Sequence, residues 1–341
     1  MATAEPIGLD IGSSSIRAVQ TSRGKDGLSI TNFGLAPLPS GAVAAGVIHD
    51  DRAVTAALRA LWSSAKFGNK QVVLGVTHPQ VVVRELTVSN LPERELRRSL
   101  PFQVRDVLPI PVEKALLDFQ PLEPPSKNDT IRGLLIAAPK DVVLTAVRAI
   151  ERAGLHVARV DLASFALLRA ASRLDTQVEA LVDIGARLTT VLVHIDGVPL
   201  IVRTIPRGGV EITEMIAARL GATVAEAESL KCRVGLRSDD GPETADVVRE
   251  AIRPLVSEIR SSFAYLTSGA RQTKVRRLAL AGGGALLPGL PEALSAQLEV
   301  EAIIADPVAR LRDQRRGKHD SLELLRSSAA VSIGLTLGAA R

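Results

Sequence analysis

The feature that most constrains this chain is an internal echo. The stretch "GLDIGSSSIRAV" near the start and "LVDIGARLTTVLV" in the second half align at Asp10 and Asp183, 173 residues apart. In each, Asp-Ile-Gly closes an apolar run, and small or hydroxyl-bearing residues lead into a second apolar run. Alternating burial predicts a strand on either side, and Gly and Ser suit the tight turn between them. Taken alone, each turn reads either as a plain hairpin or as a phosphate cradle, in which backbone N–H groups and hydroxyls close on an anion. Two in corresponding places predict two similar lobes whose turns face each other across a gap. A chain of 341 residues, 46% of them hydrophobic, has the material for two such cores.

The rest of the pattern follows that duplication. The first series reads as strands "IGLDIG", "SIRAVQTS" and "LSITNFGLAPL", a helix "DDRAVTAALRALWSSA" capped by Asp50 or Asp51, and a strand "QVVLGVT". The second begins near 179 with "EALVDIGA", "TTVLVHI", an Asp196-Gly197 turn and "VPLIVRTIP", then enters a helix over "GGVEITEMIAARL". Gly208 and Gly209 stand at that helix start, where free N–H groups and the helix dipole suit an anion, and Glu211 begins the helix. A third turn, "LALAGGGALLPGL" (278–290), leaves a buried strand through Gly282, Gly283 and Gly284, which let backbone approach a flat or anionic ligand closely. Its spacing is not the dinucleotide G-x-G-x-x-G, and the Walker pattern G-x-x-x-x-G-K-[ST] is absent.

Composition narrows the function classes. A single cysteine, Cys232, excludes an internal disulfide framework and reads as a small buried residue. The opening "MATAEPIGLD" lacks a charged and then apolar leader, and the most apolar runs fall below the roughly 18 to 20 residues that cross a bilayer, so the expectation is a cytoplasmic chain that meets a membrane only through partners. The net charge of +5 is spread along the chain, and with 2% aromatic residues the basic cluster "RLRDQRRGK" (310–318) reads as a solvated face, without nucleic acid as partner. His78, His156 and His194 show no ligand or triad spacing and are expected to be structural.

The motifs "LDIGSSS", "LVDIGARLTT" and "LALAGGGALLPGL" resemble, in order and distance, the two phosphate motifs and the adenosine motif of the actin-like ATPase superfamily. Within it the chain is most similar to the PilM and FtsA group of pilus assembly and cell division proteins. The most family-specific part is 80–160, from "VVVRELTVSNLPERELRRSLPFQVRDVLP" through the polar break "EPPSKNDT" to "IRGLLIAAPKDVVLTAVRAIERAG". Here "RGLLIAAPK" reads as a buried strand and "DVVLTAVRAIERAG" as a capped amphipathic helix ending at Gly154. Leu96, Leu100, Val104 and Leu108 share one helix face, with Pro101 expected to kink or split that helix.

The resemblance implies a bilobal α/β actin-like ATPase fold of two ribonuclease H-like lobes, with a small α+β subdomain inserted in the first. The expected boundaries are 1–80 for the first lobe, 81–160 for the insert, 161–178 for a return to the first lobe, 179–324 for the second, and 325–341 for a C-terminal helix packing on the first. It implies ATP between the lobes with Mg²⁺ held by Asp10 and Asp183, largely through water. Gly12 and Gly185 would give room, Ser13, Ser14, Ser15, Thr189 and Thr190 would donate to phosphate oxygens, and Arg17 would reach phosphate as a guanidinium fork. Glu228 and Lys231, one helical turn apart, read as an exposed ion pair or, by the resemblance, as a border to adenine and ribose. No residue's spacing identifies a group that orients an attacking water, so nucleotide binding with at most weak ATPase activity is expected, and no catalytic residue is named. The implied role is an ATP-binding scaffold at the cytoplasmic face of the inner membrane. Its partner would be the N-terminal tail of a PilN-like membrane protein, bound in an extended form beside the insert with Arg84, Arg97, Arg98 and Arg105 on the rim; the pilus assembly ATPases are further partners. Alternatives are an FtsA-like filament protein, which would want an amphipathic C-terminal anchor with a basic face, and a small-molecule kinase.

Overall fold

The structure is a computed structural model and describes residues 5–24, 27–124, 128–268, 273–309, 311–313, 326 and 328–338. Parts of "EPPSKNDT", most of "RLRDQRRGK" and both ends of the 325–341 stretch therefore lie outside the described residues.

The chain opens with an antiparallel meander, β1 (Ile7–Ile11), β2 (Ser15–Gly24) and β3 (Gly27–Pro37), followed by a short ribbon of β4 (Val43–Ala44) and β5 (Val47–Ile48). Helix α1 (Asp51–Ala65) is capped by Asp50, whose carboxylate accepts from the Ala53 N–H at 2.9 Å, and it buries Val54, Leu58 and Leu61 on the sheet. Strand β6 (Gln71–Val76) then runs parallel to β1.

An excursion follows: β7 (Val82–Ser89), α2 (Glu93–Gln103), β8 (Ala115–Pro121) and β9 (Thr130–Pro139) make a separate antiparallel sheet in the order β7-β9-β8. Its core is Val88, Ile131 and Leu135 against Leu96 and Leu100 of α2 and Val104 at its C-cap, with Leu108 packed beside them, so the four residues expected on one face share one core but not one helix, which ends before Val104. Pro101 neither kinks the middle of α2 nor splits it. It sits in the last turn, where it withholds one N–H donor, and the helix ends two residues later.

Helix α3 (Lys140–Arg152) buries Val143, Ala149 and Ile150 in the first-sheet core, and β10 (His156–Leu162) pairs in parallel with β6. Both therefore belong to the first lobe's sheet and its cover, and the inserted unit is 82–139, shorter than the expected 81–160. Helix α3 ends as expected, with Gly154 just past its end at φ +84°, and Pro139 stands at its N-cap position.

Helix α4 (Ala163–Ala171) leads into the second sheet: β11 (Val178–Ile184), β12 (Thr189–Ile195), β13 (Val198–Ile205), helices α5 (Gly209–Leu220), α6 (Val224–Val234) and α7 (Pro242–Ser268), then β14 (Arg277–Ala281), α8 (Leu290–Leu298) and β15 (Glu301–Ile304). Its order, β13-β12-β11-β14-β15, repeats the run β3-β2-β1-β6-β10 of the first sheet, each with three antiparallel strands followed by two parallel ones. The duplication legible in two short motifs thus extends through ten strands. Strand β16 (Arg312–Asp313) already pairs with β3, so the chain regains the first lobe before the expected residue 325.

The last helix, α9 (Ala330–Gly338), lies against β1, β2, β6 and α4, while Leu167 and Leu168 of α4 pack with Leu181 and Leu192 of the second sheet. These two helices form the layer between the lobes. They touch so closely that a Cβ on Gly334 would overlap the Ala166 carbonyl, and one on Gly8 would overlap that of Ser332.

Candidate functional site

The β1–β2 and β11–β12 hairpins close alike. Gly12 N–H donates to the Ser15 carbonyl at 3.0 Å, and Gly185 N–H to that of Leu188 at 2.9 Å. Across each hairpin the aspartate faces the residue seven places on: Asp10 pairs in register with Arg17, and Asp183 with Thr190. A Cβ on Gly185 would stand 2.8 Å from the Leu188 carbonyl oxygen, so that turn needs glycine.

Both hairpins open onto one cleft between the sheets. Of the residues singled out from the sequence, Asp10, Gly12, Ser13, Ser14, Arg17, Asp183, Gly185, Thr190, Gly282 and Gly283 line it. Gly282 has φ +82°, and a Cβ there would lie 2.5 Å from the Ile184 carbonyl oxygen and overlap the Asp183 carboxylate. Gly283 faces open space. These glycines keep the β14 side of the cleft free of side chains.

Arg17 Nη1 reaches Asp10 Oδ2 at 3.3 Å, both side chains being 17% exposed. Burial holds the Asp10 carboxyl above its ordinary range although Arg17 pulls it down. The Asp183 carboxyl is pushed up to about 6, first by burial and then by the Asp10 charge, with Arg17 opposing. The two carboxylates therefore repel across the cleft, an arrangement that a cation between them would relieve. Arg17 Nε is buried and has no hydrogen-bond partner, a donor left for something in the cleft.

Other expected residues do different work. Ser15 is buried at the start of β2, and Thr189 donates its hydroxyl to the Arg207 carbonyl at 2.9 Å, so neither lines the cleft. The helix start at Gly208 and Gly209 does not offer its amides to the cleft: Gly209 N–H and Val210 N–H donate to the carbonyls of Gly185 and Ala186 at 3.0 and 2.8 Å. Glycine is needed at 208 because a Cβ would lie 2.5 Å from Gly185 O. Glu211 pairs with Arg207 at 2.8 Å. Gly284 packs on Ile184.

Lys231 donates to Glu228 at 2.7 Å, to Thr213 at 2.9 Å and to the Gly209 carbonyl at 3.2 Å, tying α6 to the start of α5 away from the cleft. Burial raises Glu228, but Lys231 and Thr213 outweigh it and hold the carboxyl below its usual range. Cys232 is exposed, not buried as expected; burial of its sulfur and the neighbouring Glu228 carboxylate nevertheless push the thiol up, away from reactivity.

Sequence reasoning missed several lining residues: Gly46 and Thr77 from the first lobe, Arg187 from the second hairpin, and Ala330 and Val331 from α9. Arg187 lies inside a quoted motif, and its charge was the available signal. The others are brought in by packing alone.

The donor set fits a hydrated divalent cation better than a caged one. Among the described residues no group of three or more His, Cys, Asp or Glu side chains is placed to hold a metal ion, and the two aspartates suit Mg²⁺, which keeps waters and takes phosphate oxygens. Serine hydroxyls, bare glycines and an unpartnered guanidinium nitrogen around them suit a polyphosphate.

A second, open depression lies between β7 of the inserted unit and β13 and α7 of the second lobe, with Arg84, Arg203 and the 72% exposed Tyr265 on its walls. Both β7 and β13 are sheet edges. Of the arginines expected on a rim, Arg84 is there, with Nη1 donating to the Val107 carbonyl at 3.3 Å. Arg97 pairs with Glu93 on α2, and neither Arg98 nor Arg105 lines the depression. Among the described residues no helix is long and apolar enough to cross a membrane.

Comparison with known proteins agrees with this architecture. The chain is 26% identical over 257 residues to the cell division protein FtsA of Bacillus subtilis (strain 168), covering 67% of this chain and 58% of that one. It is 25% identical over 332 residues to FtsA of Streptococcus pneumoniae, covering 84% and 72%. Among solved structures it superposes on a PilM–PilN type IV pilus biogenesis complex with a TM-score of 0.87 at 25% identity, covering 99% of both chains. MreB5 of Spiroplasma citri, solved bound to ADP, shares the fold at a TM-score of 0.55 and 15% identity. The family described as type IV pilus assembly protein PilM matches residues 8–340, nearly the whole length, and it is to this family, with its actin-like ATPase fold, that the chain belongs.

Proposed function

We propose that the cleft binds ATP with Mg²⁺, and that the chain acts as a scaffold of the pilus assembly platform whose closed lobes hold the cytoplasmic tail of an inner-membrane, PilN-like protein. The observation that carries the nucleotide half is the facing pair Asp10 and Asp183 on duplicated hairpins, one lifted to about 6, beside an unpartnered Arg17 Nε. The aspartates would hold the cation through water, and Ser13, Ser14, Thr190 and Arg17 the phosphates. Gly282 and Gly283 leave backbone room for the nucleoside. When bound, the magnesium-nucleotide would supply the positive charge that relieves the repulsion between the two carboxylates.

The partner half rests on the β7–β13 depression. It spans the inserted unit and the second lobe, so closure of the lobes changes its width, and its edge strands suit an extended peptide. Attachment to the membrane would come through that peptide. Helix α9 is buried from Ala330 to Thr336, which supports a packed helix over the amphipathic anchor that an FtsA-like reading would use.

The test is a titration of the full chain with the PilN N-terminal peptide, with and without Mg-ATP, on the wild type and Tyr265→Ala. Tighter peptide binding with Mg-ATP, weakened by about tenfold in the variant, is expected. Absence of peptide affinity in both states would refute the scaffold reading.

A further inference from the structure

The charged side chains that line the cleft are Asp10, Arg17, Asp183 and Arg187. Asp10 and Arg17 neutralise each other at 3.3 Å. Among the described lining residues Arg187 is then the cation with no carboxylate partner inside the cleft. Its present partner is Glu214 on α5, reached by one contact from Nη2 to Oε1 at 3.3 Å, with the two side chains 34% and 56% exposed. Such a solvated, singly bonded pair is weakly held and readily exchanged.

The duplication fixes where Arg187 stands. The offset of 173 residues that superposes Asp183 on Asp10 also places Arg187 on Ser14, so each residue occupies the tip of its hairpin. Both tips line the cleft. Gly282 and Gly283 lie on the β14 side of Asp183, and β12 on the other side. A nucleotide placed with its nucleoside against these glycines and its phosphates along the cleft would bring its last phosphate to the tips, where the first lobe offers a hydroxyl and the second a guanidinium. A guanidinium fork takes two phosphoryl oxygens at once, a match that a carboxylate held through one contact does not rival.

Resting on the nucleotide reading above, we propose that Arg187 is a specificity residue that binds the terminal phosphate of a nucleoside triphosphate, leaving Glu214 to do so, and thereby lets the cleft distinguish a triphosphate from a diphosphate. On this proposal a diphosphate, one phosphate shorter, leaves Arg187 on Glu214.

The test is calorimetric titration of the full chain with Mg-ATP and with Mg-ADP, for the wild type, Arg187→Gln, Arg187→Lys and Glu214→Gln. Arg187→Gln should weaken Mg-ATP about tenfold or more and change Mg-ADP by less than about twofold. Arg187→Lys should recover part of the loss, as a point charge without the fork. Glu214→Gln, which removes the competing carboxylate and leaves the arginine in place, should tighten Mg-ATP by about two- to fivefold. An unchanged ATP-to-ADP preference in Arg187→Gln, or weaker Mg-ATP binding in Glu214→Gln, overturns the assignment while the nucleotide reading stands. A wild type that binds neither nucleotide overturns both.

Discussion

At the residue scale the chemistry of the cleft turns on Asp183. Its carboxyl sits about 6 because burial and the Asp10 charge disfavour ionisation in the folded chain. A carboxyl raised in this way helps stability below its unfolded value near 3.8, and that help is lost as pH rises through 6. Asp183→Asn should therefore melt higher than the wild type at pH 7 without ligand, by on the order of 1–3 kcal/mol, with the gap closing between pH 6 and pH 4. A gap that is constant with pH would show that the repulsion is not the cause. The same variant should lose the thermal shift given by Mg-ATP, because a ligand that binds only the folded form stabilises by mass action. In the wild type that shift should fall as pH drops below about 6, where the carboxylate proposed to hold the cation is protonated.

At the scale of elements, two contacts illustrate what local sequence can and cannot specify. Helix α6 begins with a full capping box: Thr223 accepts from Glu226 N–H at 3.3 Å, and Glu226 accepts from Thr223 N–H at 2.8 Å. Thr223→Ala should cost about 1 kcal/mol in denaturant unfolding, with the loss confined to that helix start. The α4–α9 contact is of another kind. Gly334→Ala puts a methyl group into the Ala166 carbonyl, a rigid backbone atom, so a destabilisation of ~2–3 kcal/mol is expected, together with faster amide exchange in α9. Nothing in "AVSIGLTLG" marks that glycine as a contact point. The strands and caps were readable because alternation and capping are properties of neighbours in sequence, as Asp50 and the β1–β2 hairpin show. The limits of the insert were not readable, because α3 and β10 look like any helix and strand until β10 is seen to hydrogen-bond to β6.

At the scale of the whole molecule, the lobes are joined by the passage from α4 to β11, and that passage is pinned to the second lobe by a buried polar cluster. Glu179 accepts from Arg277 Nε at 2.7 Å, from Arg173 N–H at 2.7 Å and from His194 at 3.0 Å, while Arg277 also reaches Asp175 at 3.1 Å. His194, expected to be structural, serves here as a hydrogen-bond partner with no exposure. Burial pulls Glu179 upward, yet His194, Arg277 and the Arg173 amide hold it below its usual 4.5. A depressed carboxyl of this kind adds stability above pH 4.5 that disappears as pH falls through its folded value. Glu179→Gln removes one of the two carboxylates that Arg277 meets, leaving Asp175, and should cost about 1–3 kcal/mol, with the wild type's loss of stability below pH 4.5 reduced in the variant. Urea unfolding from pH 7 down to about pH 3 measures both.

The sequence by itself determined the duplication, the paired hairpins, most strands and helices, and the presence of Asp10 and Asp183 at matching strand ends, because each follows from periodicity and turn chemistry within a few residues. Only the tertiary structure decided which groups meet across the lobes. It turned the Gly208-Gly209 helix start onto its own hairpin, set Thr189 on the Arg207 carbonyl, and brought Arg187 and α9 to the cleft wall. These outcomes depend on contacts between residues far apart in the chain, which packing of two sheets and the α4–α9 layer settles and no local pattern encodes.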